Sequence, residues 1–249
     1  MLFSSIDYFI FLGFALTIFW ALRNFHAPRL GAIFALSCLF YMASHPTYIG
    51  LLLVSTVLDY WIGQRIDASD DEKVRKRWVA LSVASNLGLL GFFKYSNFFI
   101  DSLNDGAKLF GYELNLPLLP IILPVGISFY TFQTMSYTID IYRRQLNPAK
   151  NFLEFAVFVT YFPQLVAGPI VRASELLPQL EKRPALRREL VGEGIFLILT
   201  GLTKKIVVAD YLSVNLVDRA FANPELYTAP EMVVALYAFT AQIYCDFSG

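Results

Sequence analysis

The sequence predicts an all-α, polytopic integral membrane protein with tilted and broken transmembrane helices and one re-entrant segment. Hydrophobic residues make up 56% of the 249 residues, charged residues only 16%, and the mean hydropathy is +0.52. Soluble domains are about 45–50% apolar and about 25% charged. We expect one membrane domain over residues 1–249, built on the charge-free runs 8–22, 30–58, 78–93, 114–139, 155–171, 194–203 and 232–245.

The net charge, the cysteines and the N-terminal segment indicate which partners and processing to expect. The 20 basic and 20 acidic residues cancel, so we expect no nucleic-acid partner. Cys38 and Cys245 lie in separate apolar runs, which favours packed thiols over a disulfide or a metal pair. The opening "MLFSSIDYFIFLGF" lacks a basic region and a small-residue cleavage site. We therefore expect a retained first span.

The run 30–58 is too long for one ordinary span, which needs about 20 apolar residues. Proline disfavours helix at the residue before it. His45-Pro46 therefore predicts two helices, near 30–44 and 47–64.

Basic residues predict the sides of the membrane, because Lys and Arg mark cytoplasmic loops. The loops "DASDDEKVRKR" and "RRQLNPAK" are basic, which places both inside and the N-terminus outside. The piece "KYSNFFIDSLNDGAKLFGYE" then lies outside, and the spacing of its apolar residues suits a helix in the membrane interface. These residues are Phe98, Phe99, Leu103 and Phe110.

The segment "FPQLVAGPIVR", residues 162–172, carries helix-breaking residues within an apolar run that has basic residues on both sides. If both flanks are cytoplasmic, the run 155–171 enters the membrane and returns. Irregular backbone at membrane depth must be buried in protein or line a watery cavity. We expect it to line a polar cavity, the alternative being a kinked packing helix. The candidate residues are Gln164, Gly168, Pro169 and Arg172.

Lys204, Lys205 and Asp210, in "GLTKKIVVADYL", form a second candidate cluster, since ionisable residues at membrane depth are suspected of function by default. On an α-helix, Asp210 is too far round to pair ideally with either lysine. We expect one lysine to face the cytoplasmic cavity, where it could attract the phosphates of an acyl donor, and the other to reach an interface or a buried carboxylate. Alternatively, both lysines extend to the membrane surface.

The usual catalytic motifs are absent: there is no Walker loop, GxGxxG, HExxH or GxSxG. The two histidines, His26 and His45, lie on opposite predicted sides, and we interpret both as loop residues. We assign no catalytic residue and no metal ligand.

Five blocks resemble the membrane-bound O-acyltransferases, and most closely the branch of the alginate O-acetyltransferase membrane subunit. These blocks are "GFFKYSNFF" (91–99), "LPVGISFYTFQTMSYTIDIYRR" (123–144), "YFPQLVAGPIVR" (161–172), "GLTKKIVVAD" (201–210) and "AQIYCDFSG" (241–249). The resemblance runs through the whole chain in order. The family's catalytic histidine lies downstream of the last block, so the chain resembles the N-terminal half and is expected to be inactive alone.

The resemblance implies a funnel of tilted helices in the bacterial inner membrane. It also implies acetyl-CoA as the donor, an exported polysaccharide as the acceptor and a periplasmic partner that completes transfer. The lipid bilayer is the further partner. Two alternatives stay open: the related branch that transfers D-alanine to teichoic acids, and a transporter or channel component.

Overall fold

The structure is a computed structural model that describes residues 4–43, 46–165 and 168–249. These residues form helices and irregular connections, and they contain no β-strand. The all-α prediction is therefore confirmed for the described part of the chain. Among the helices of that part, none combines the length and the apolar character that crossing a bilayer requires.

Twelve α-helices follow one another along the described residues. They are α1 Ile6–Ala21, α2 His26–Met42, α3 Ile49–Asp67, α4 Glu72–Leu109, α5 Ile127–Tyr142, α6 Phe152–Thr160, α7 Phe162–Leu165, α8 Ala173–Glu181, α9 Arg188–Leu202, α10 Asp210–Leu212, α11 Asp218–Ala222 and α12 Ala229–Ser248. Two π-helical segments, Thr203–Ala209 and Ser213–Val217, flank α10. Short 3₁₀ turns cover Pro46–Tyr48 and Pro224–Leu226.

Local sequence signals explain several helix starts. The Asp71 side chain caps α4 by accepting a hydrogen bond from Lys73 N at 2.8 Å, and Asn151 caps α6 by accepting from Glu154 N at 2.9 Å. Thr228 and Glu231 form a capping box at the start of α12. Such caps satisfy the free N–H groups of the first helical turn.

The predicted division of the run 30–58 is confirmed, because α2 ends at Met42 and α3 begins at Ile49. His45 lies outside the described residues. His26 is the first residue of α2, so its interpretation as a loop residue was wrong. The two cysteines are free and half-buried, as predicted.

The helix α4 contains 38 residues, a length of about 57 Å. It joins the predicted run 78–93 to the predicted interface helix without interruption. The four apolar residues that carried that prediction are exposed, three of them on its C-terminal part and Phe110 directly after its last residue. Its position in a membrane interface stays a prediction.

The chain divides into two compact units: Ala15–Arg183, and Met1–Phe14 with Pro184–Gly249. We call them the larger and the smaller unit. The prediction of one membrane domain over 1–249 stays a prediction.

In the larger unit, α3, α4 and α5 pack together, with α6 against α2 and α3. Every residue from Phe155 to Val159 is buried, which marks α6 as a central helix, since a helix that is apolar all round must be covered on all sides. Gly63 allows the close approach of α3 and α5. A Cβ atom there would lie 2.8 Å from Tyr137 Cε1.

Candidate functional site

The break between α6 and α7 lies in the segment that the sequence singled out as irregular. Tyr161 leaves the helical conformation, with φ −52° and ψ 107°. Pro163 follows two residues later and has no N–H to donate, so the α-helical ladder cannot continue through it. The predicted irregular backbone is confirmed at this position.

Side chains from three helices replace the lost backbone hydrogen bonds. In a continuous helix Phe162 N would donate to Phe158 O. Instead, Phe162 N donates to Ser37 Oγ of α2 at 3.2 Å. Phe158 O accepts from Gln133 Nε2 of α5 at 2.7 Å and from Gln164 Nε2 at 2.9 Å. The break is therefore stabilised by buried amide and hydroxyl groups.

The four candidate residues of this segment differ in their burial and in their contacts. Gln164 is 7% exposed and its amide is engaged by the Phe158 carbonyl. Gly168 packs on the Gln164 backbone so closely that an added Cβ would lie 2.5 Å from Gln164 Cα. Pro169 and Arg172 are exposed, and residues 166–167 lie outside the described residues. The polar cavity stays a prediction.

The second predicted cluster is built on π-helical backbone. Lys205 Nζ lies 2.8 Å from Asp210 Oδ1 and 2.6 Å from Asp246 Oδ1 of α12. The expectation that Asp210 pairs poorly with either lysine was wrong. The segment Thr203–Ala209 is a π-helix, in which residues five apart lie on one face.

The two neighbouring lysines have different surroundings. Lys205 lies between two carboxylates, which leaves the group of three with a net charge of −1. Lys204 Nζ lies 6.0 Å from the centre of the Tyr244 ring and is half-exposed. Among the described residues it forms no ion pair. Lys204 is therefore the member of the pair that can attract an anion.

Two of the family-like blocks meet in the smaller unit. The "GLTKKIVVAD" block contributes Gly201 and the lysines, and the "AQIYCDFSG" block contributes Asp246 and Gly249. A Cβ on Gly201 would collide with the Gly249 carbonyl oxygen. The backbones of these blocks are thus close enough that no side chain fits between them, and the Lys205–Asp246 ion pair joins them.

Sequence reasoning missed a buried polar cluster in the larger unit. Asp59, on α3, is 0% exposed. Its Oδ1 accepts from Ser82 Oγ at 2.6 Å and its Oδ2 from Asn86 Nδ2 at 2.8 Å, both on α4. From α5, Thr134 Oγ1 donates to Asn86 Oδ1 at 3.2 Å and Thr138 Oγ1 lies 3.0 Å from Ser82 Oγ. A sequence signal existed. The polar residues of α4, Ser82 and Asn86, and those of α5, Thr134 and Thr138, are each four residues apart within apolar stretches.

A histidine–carboxylate contact also escaped the sequence reasoning. His26 Nε2 lies 3.9 Å from Glu154 Oε1, and the Glu154 side chain is 5% exposed. The two residues are far apart in the chain, so no local spacing could have paired them.

Comparisons with known proteins identify several relatives of the chain. It is 39% identical over 252 residues to the probable alginate O-acetylase AlgI of Azotobacter vinelandii, a match that covers 100% of this chain and 49% of that protein. The protein of the same name from Pseudomonas aeruginosa is also 39% identical over 252 residues, with 47% of it covered. The peptidoglycan O-acetyltransferase of Helicobacter pylori is 31% identical over 265 residues, covering 96% of this chain and 49% of that protein.

These matches confirm the resemblance to the membrane-bound O-acyltransferases. The chain is related along its whole length to proteins of the alginate O-acetylase branch. It spans about half the length of the curated relatives it matches. No protein-family model matches the chain, and no solved structure matches it significantly.

Proposed function

We propose that the protein takes part in O-acetylation of an exported polysaccharide, as an inner-membrane acetyltransferase. The observation that carries the proposal is similarity over the whole chain to proteins named for alginate and for peptidoglycan O-acetylation. The two acceptors differ, but both names describe transfer of an acetyl group to a polysaccharide. The acceptor class is therefore an exported polysaccharide.

In this function, acetyl-CoA is the donor on the cytoplasmic side. A base removes the proton of the acceptor hydroxyl, the hydroxyl oxygen attacks the thioester carbonyl, and the CoA thiolate leaves and takes up a proton. A periplasmic partner completes delivery to the polysaccharide. None of the described residues is assigned the role of the base.

The two lysines take separate roles in this proposal. CoA carries phosphates, and a group with a net charge of −1 repels them, so Lys205 with Asp210 and Asp246 does not bind the donor. Lys204, half-exposed and outside that ion-pair group, attracts the donor phosphates. Lys205 instead holds the π-helical segment against α12.

The helix break in the larger unit meets a requirement of the proposed membrane location. Irregular backbone within an apolar run is tolerated at membrane depth only where protein groups or water satisfy it. Here Ser37, Gln133 and Gln164 satisfy the freed groups. Arg172 is exposed beyond the break and remains available to a cytoplasmic ligand.

Deleting the gene and analysing the exported polysaccharide tests the function. We expect the alkali-labile acetate of the purified polysaccharide to disappear in the deletion strain and to return with the complete wild-type gene. Unchanged acetate would overturn the proposal. Loss of ester-bound D-alanine, with acetate retained, would assign the protein to the D-alanine branch instead.

A further inference from the structure

The carboxyl group of Asp59 lies at the centre of three packed helices. Asp59 is 0% exposed, and Ser82, Asn86, Thr134 and Thr138 of the cluster are each at most 2% exposed. Both Asp59 oxygens are engaged, one by a hydroxyl and the other by an amide. Asp59 is the one fully buried aspartate among the described residues.

No positive charge compensates this carboxyl group. Within the described residues Asp59 forms no ion pair, and the two buried arginines, Arg29 and Arg75, have other partners. Arg75 of α4 donates to the Ile141 and Tyr142 carbonyls, Arg29 of α2 donates to Leu180 O at 2.6 Å, and Arg65 of α3 lies over the Trp61 ring.

The tyrosines and the glutamate of these helices supply no positive charge. Tyr137 of α5 accepts a hydrogen bond from Ala149 N at 3.0 Å. Glu154 of α6 faces His26, and Tyr60 of α3 packs on Phe152 and Phe155. None of these groups offsets a negative charge on Asp59.

Burying an ionised carboxylate without a cation beside it is so costly that such groups neutralise instead. We propose that Asp59 is a proton-binding site, at which the folded protein takes one proton from solvent and holds it between α3 and α4. The carboxylate gains a proton from hydronium, leaving water, and becomes a carboxylic acid.

The hydrogen-bond geometry accommodates that proton. A protonated Oδ1 donates to Ser82 Oγ over the 2.6 Å separation, and the Ser82 hydroxyl then donates to Thr138 Oγ1 at 3.0 Å. Thr138 Oγ1 in turn donates to Met135 O at 3.1 Å. Each hydroxyl in this row donates one hydrogen bond, so the added proton does not bring two donor hydrogens face to face.

The same distances favour a proton over a metal cation. The cluster side chains already contact one another at 2.6–3.2 Å. A bound cation would have to separate these oxygens and replace their mutual hydrogen bonds. A proton needs no such expansion.

The pH dependence of unfolding tests the proposal with the protein expressed from its complete gene and purified in detergent. The unfolded chain releases this proton above the ordinary aspartate pKa of about 3.9, so rising pH favours unfolding. Starting about one pH unit above that value, the unfolding constant of the wild type should rise about tenfold per pH unit relative to Asp59→Asn, for as long as the folded protein holds the proton. Asp101→Asn, an exposed change on α4, is the matched control and should show no such trend.

If the ratio of the wild-type unfolding constant to that of Asp59→Asn does not change with pH, Asp59 is ionised in the folded state. That result would overturn the proposal. Wild-type stability that rises with sodium but not with choline would assign a cation site and also overturn it. If Asp59→Asn fails to fold, infrared spectra of wild-type protein labelled with ¹³C-aspartate decide the matter. A protonated aspartic acid band above neutral pH is expected, and its absence would contradict the proposal.

Discussion

At the scale of single residues, Lys204 and Lys205 show how backbone geometry separates two neighbours of equal charge. Because the segment Thr203–Ala209 is π-helical, Lys205 reaches Asp210 five residues on and also Asp246 of α12. Lys204 points to the Tyr244 ring instead. The π-helical backbone and the neighbouring α12 together decide which lysine is paired.

Replacing each lysine by glutamine should therefore give different defects. We expect Lys204→Gln to raise the KM for acetyl-CoA severalfold at normal abundance in the membrane. Lys205→Gln leaves two carboxylates without their cation and should lower abundance or thermal stability. The measurements are acetyl-CoA kinetics and quantitative blotting of membranes, with the protein expressed from its complete gene. Normal KM values in both variants, at normal abundance, would contradict the donor-site role.

Gly63 provides a second test at the residue scale. An added Cβ would lie 2.8 Å from Tyr137 Cε1 and 3.1 Å from Ile141 Cδ1, both in the core. Overpacking of this kind typically costs about 1–3 kcal/mol, so Gly63→Ala should lower the free energy of unfolding by that amount. Thermal unfolding in detergent measures it.

Gly88→Ala is the matched control, because it lies within α4 with no atom within 4 Å of the added Cβ. Alanine in a helix interior is favoured over glycine by roughly 0.5–1 kcal/mol, so this variant should be equal to or more stable than the wild type. If both variants lose the same free energy of unfolding, this would argue against the close approach of α3 and α5.

At the scale of secondary-structure elements, the break between α6 and α7 depends on side chains of other helices. Phe158 O receives two amide donors, one from α5 and the other from α7. A helix that ends in the core must have its carbonyls satisfied, because an orphaned buried polar group costs about 1–3 kcal/mol. The two glutamines therefore form one functional pair.

A double-mutant cycle tests this pair. Gln133→Leu or Gln164→Leu alone leaves Phe158 O one donor, so each should cost about 0.5–1.5 kcal/mol in the free energy of unfolding. The double variant leaves that carbonyl without either amide donor and should lose about 1 kcal/mol more than the sum. Gln179→Leu, at an exposed position on α8, should have little effect. Strict additivity would show that the two amides act independently.

At the scale of the whole molecule, the positions of the basic loops define a testable orientation. The basic segments 67–77 and 174–190 contain Ser69 and Ser174, whereas Ser102 lies on the C-terminal part of α4. Because basic loops stay in the cytoplasm, we expect the first two to be inside and Ser102 outside.

Single cysteines introduced at these three serines, in a protein whose own cysteines are replaced, report the orientation. An impermeant thiol reagent added to intact cells should label Ser102→Cys and should label the other two only after the cells are broken. Labelling of Ser69→Cys and Ser174→Cys in intact cells, without Ser102→Cys, would reverse the predicted orientation.

The sequence by itself determined the helical class, the division of the run 30–58 into two helices, the irregular segment after Thr160 and the family resemblance. These features depend on local composition, on proline chemistry and on residue order, all of which can be read along one stretch of chain. Gln164, Lys204 and Lys205 were also identified in this way, although their partners were not.

Only the tertiary structure decided which groups meet. Asp59 and Ser82 are 23 residues apart, and Gln133 and Phe158 are 25 apart, so neither contact follows from helical periodicity. Lys205 pairs with Asp210 on a π-helix, whereas the α-helical period of 3.6 residues predicted that this spacing is not ideal for pairing. Partner choice in a packed core is set by which helix faces come together, and that depends on the whole chain because burial leaves each polar group only its immediate neighbours.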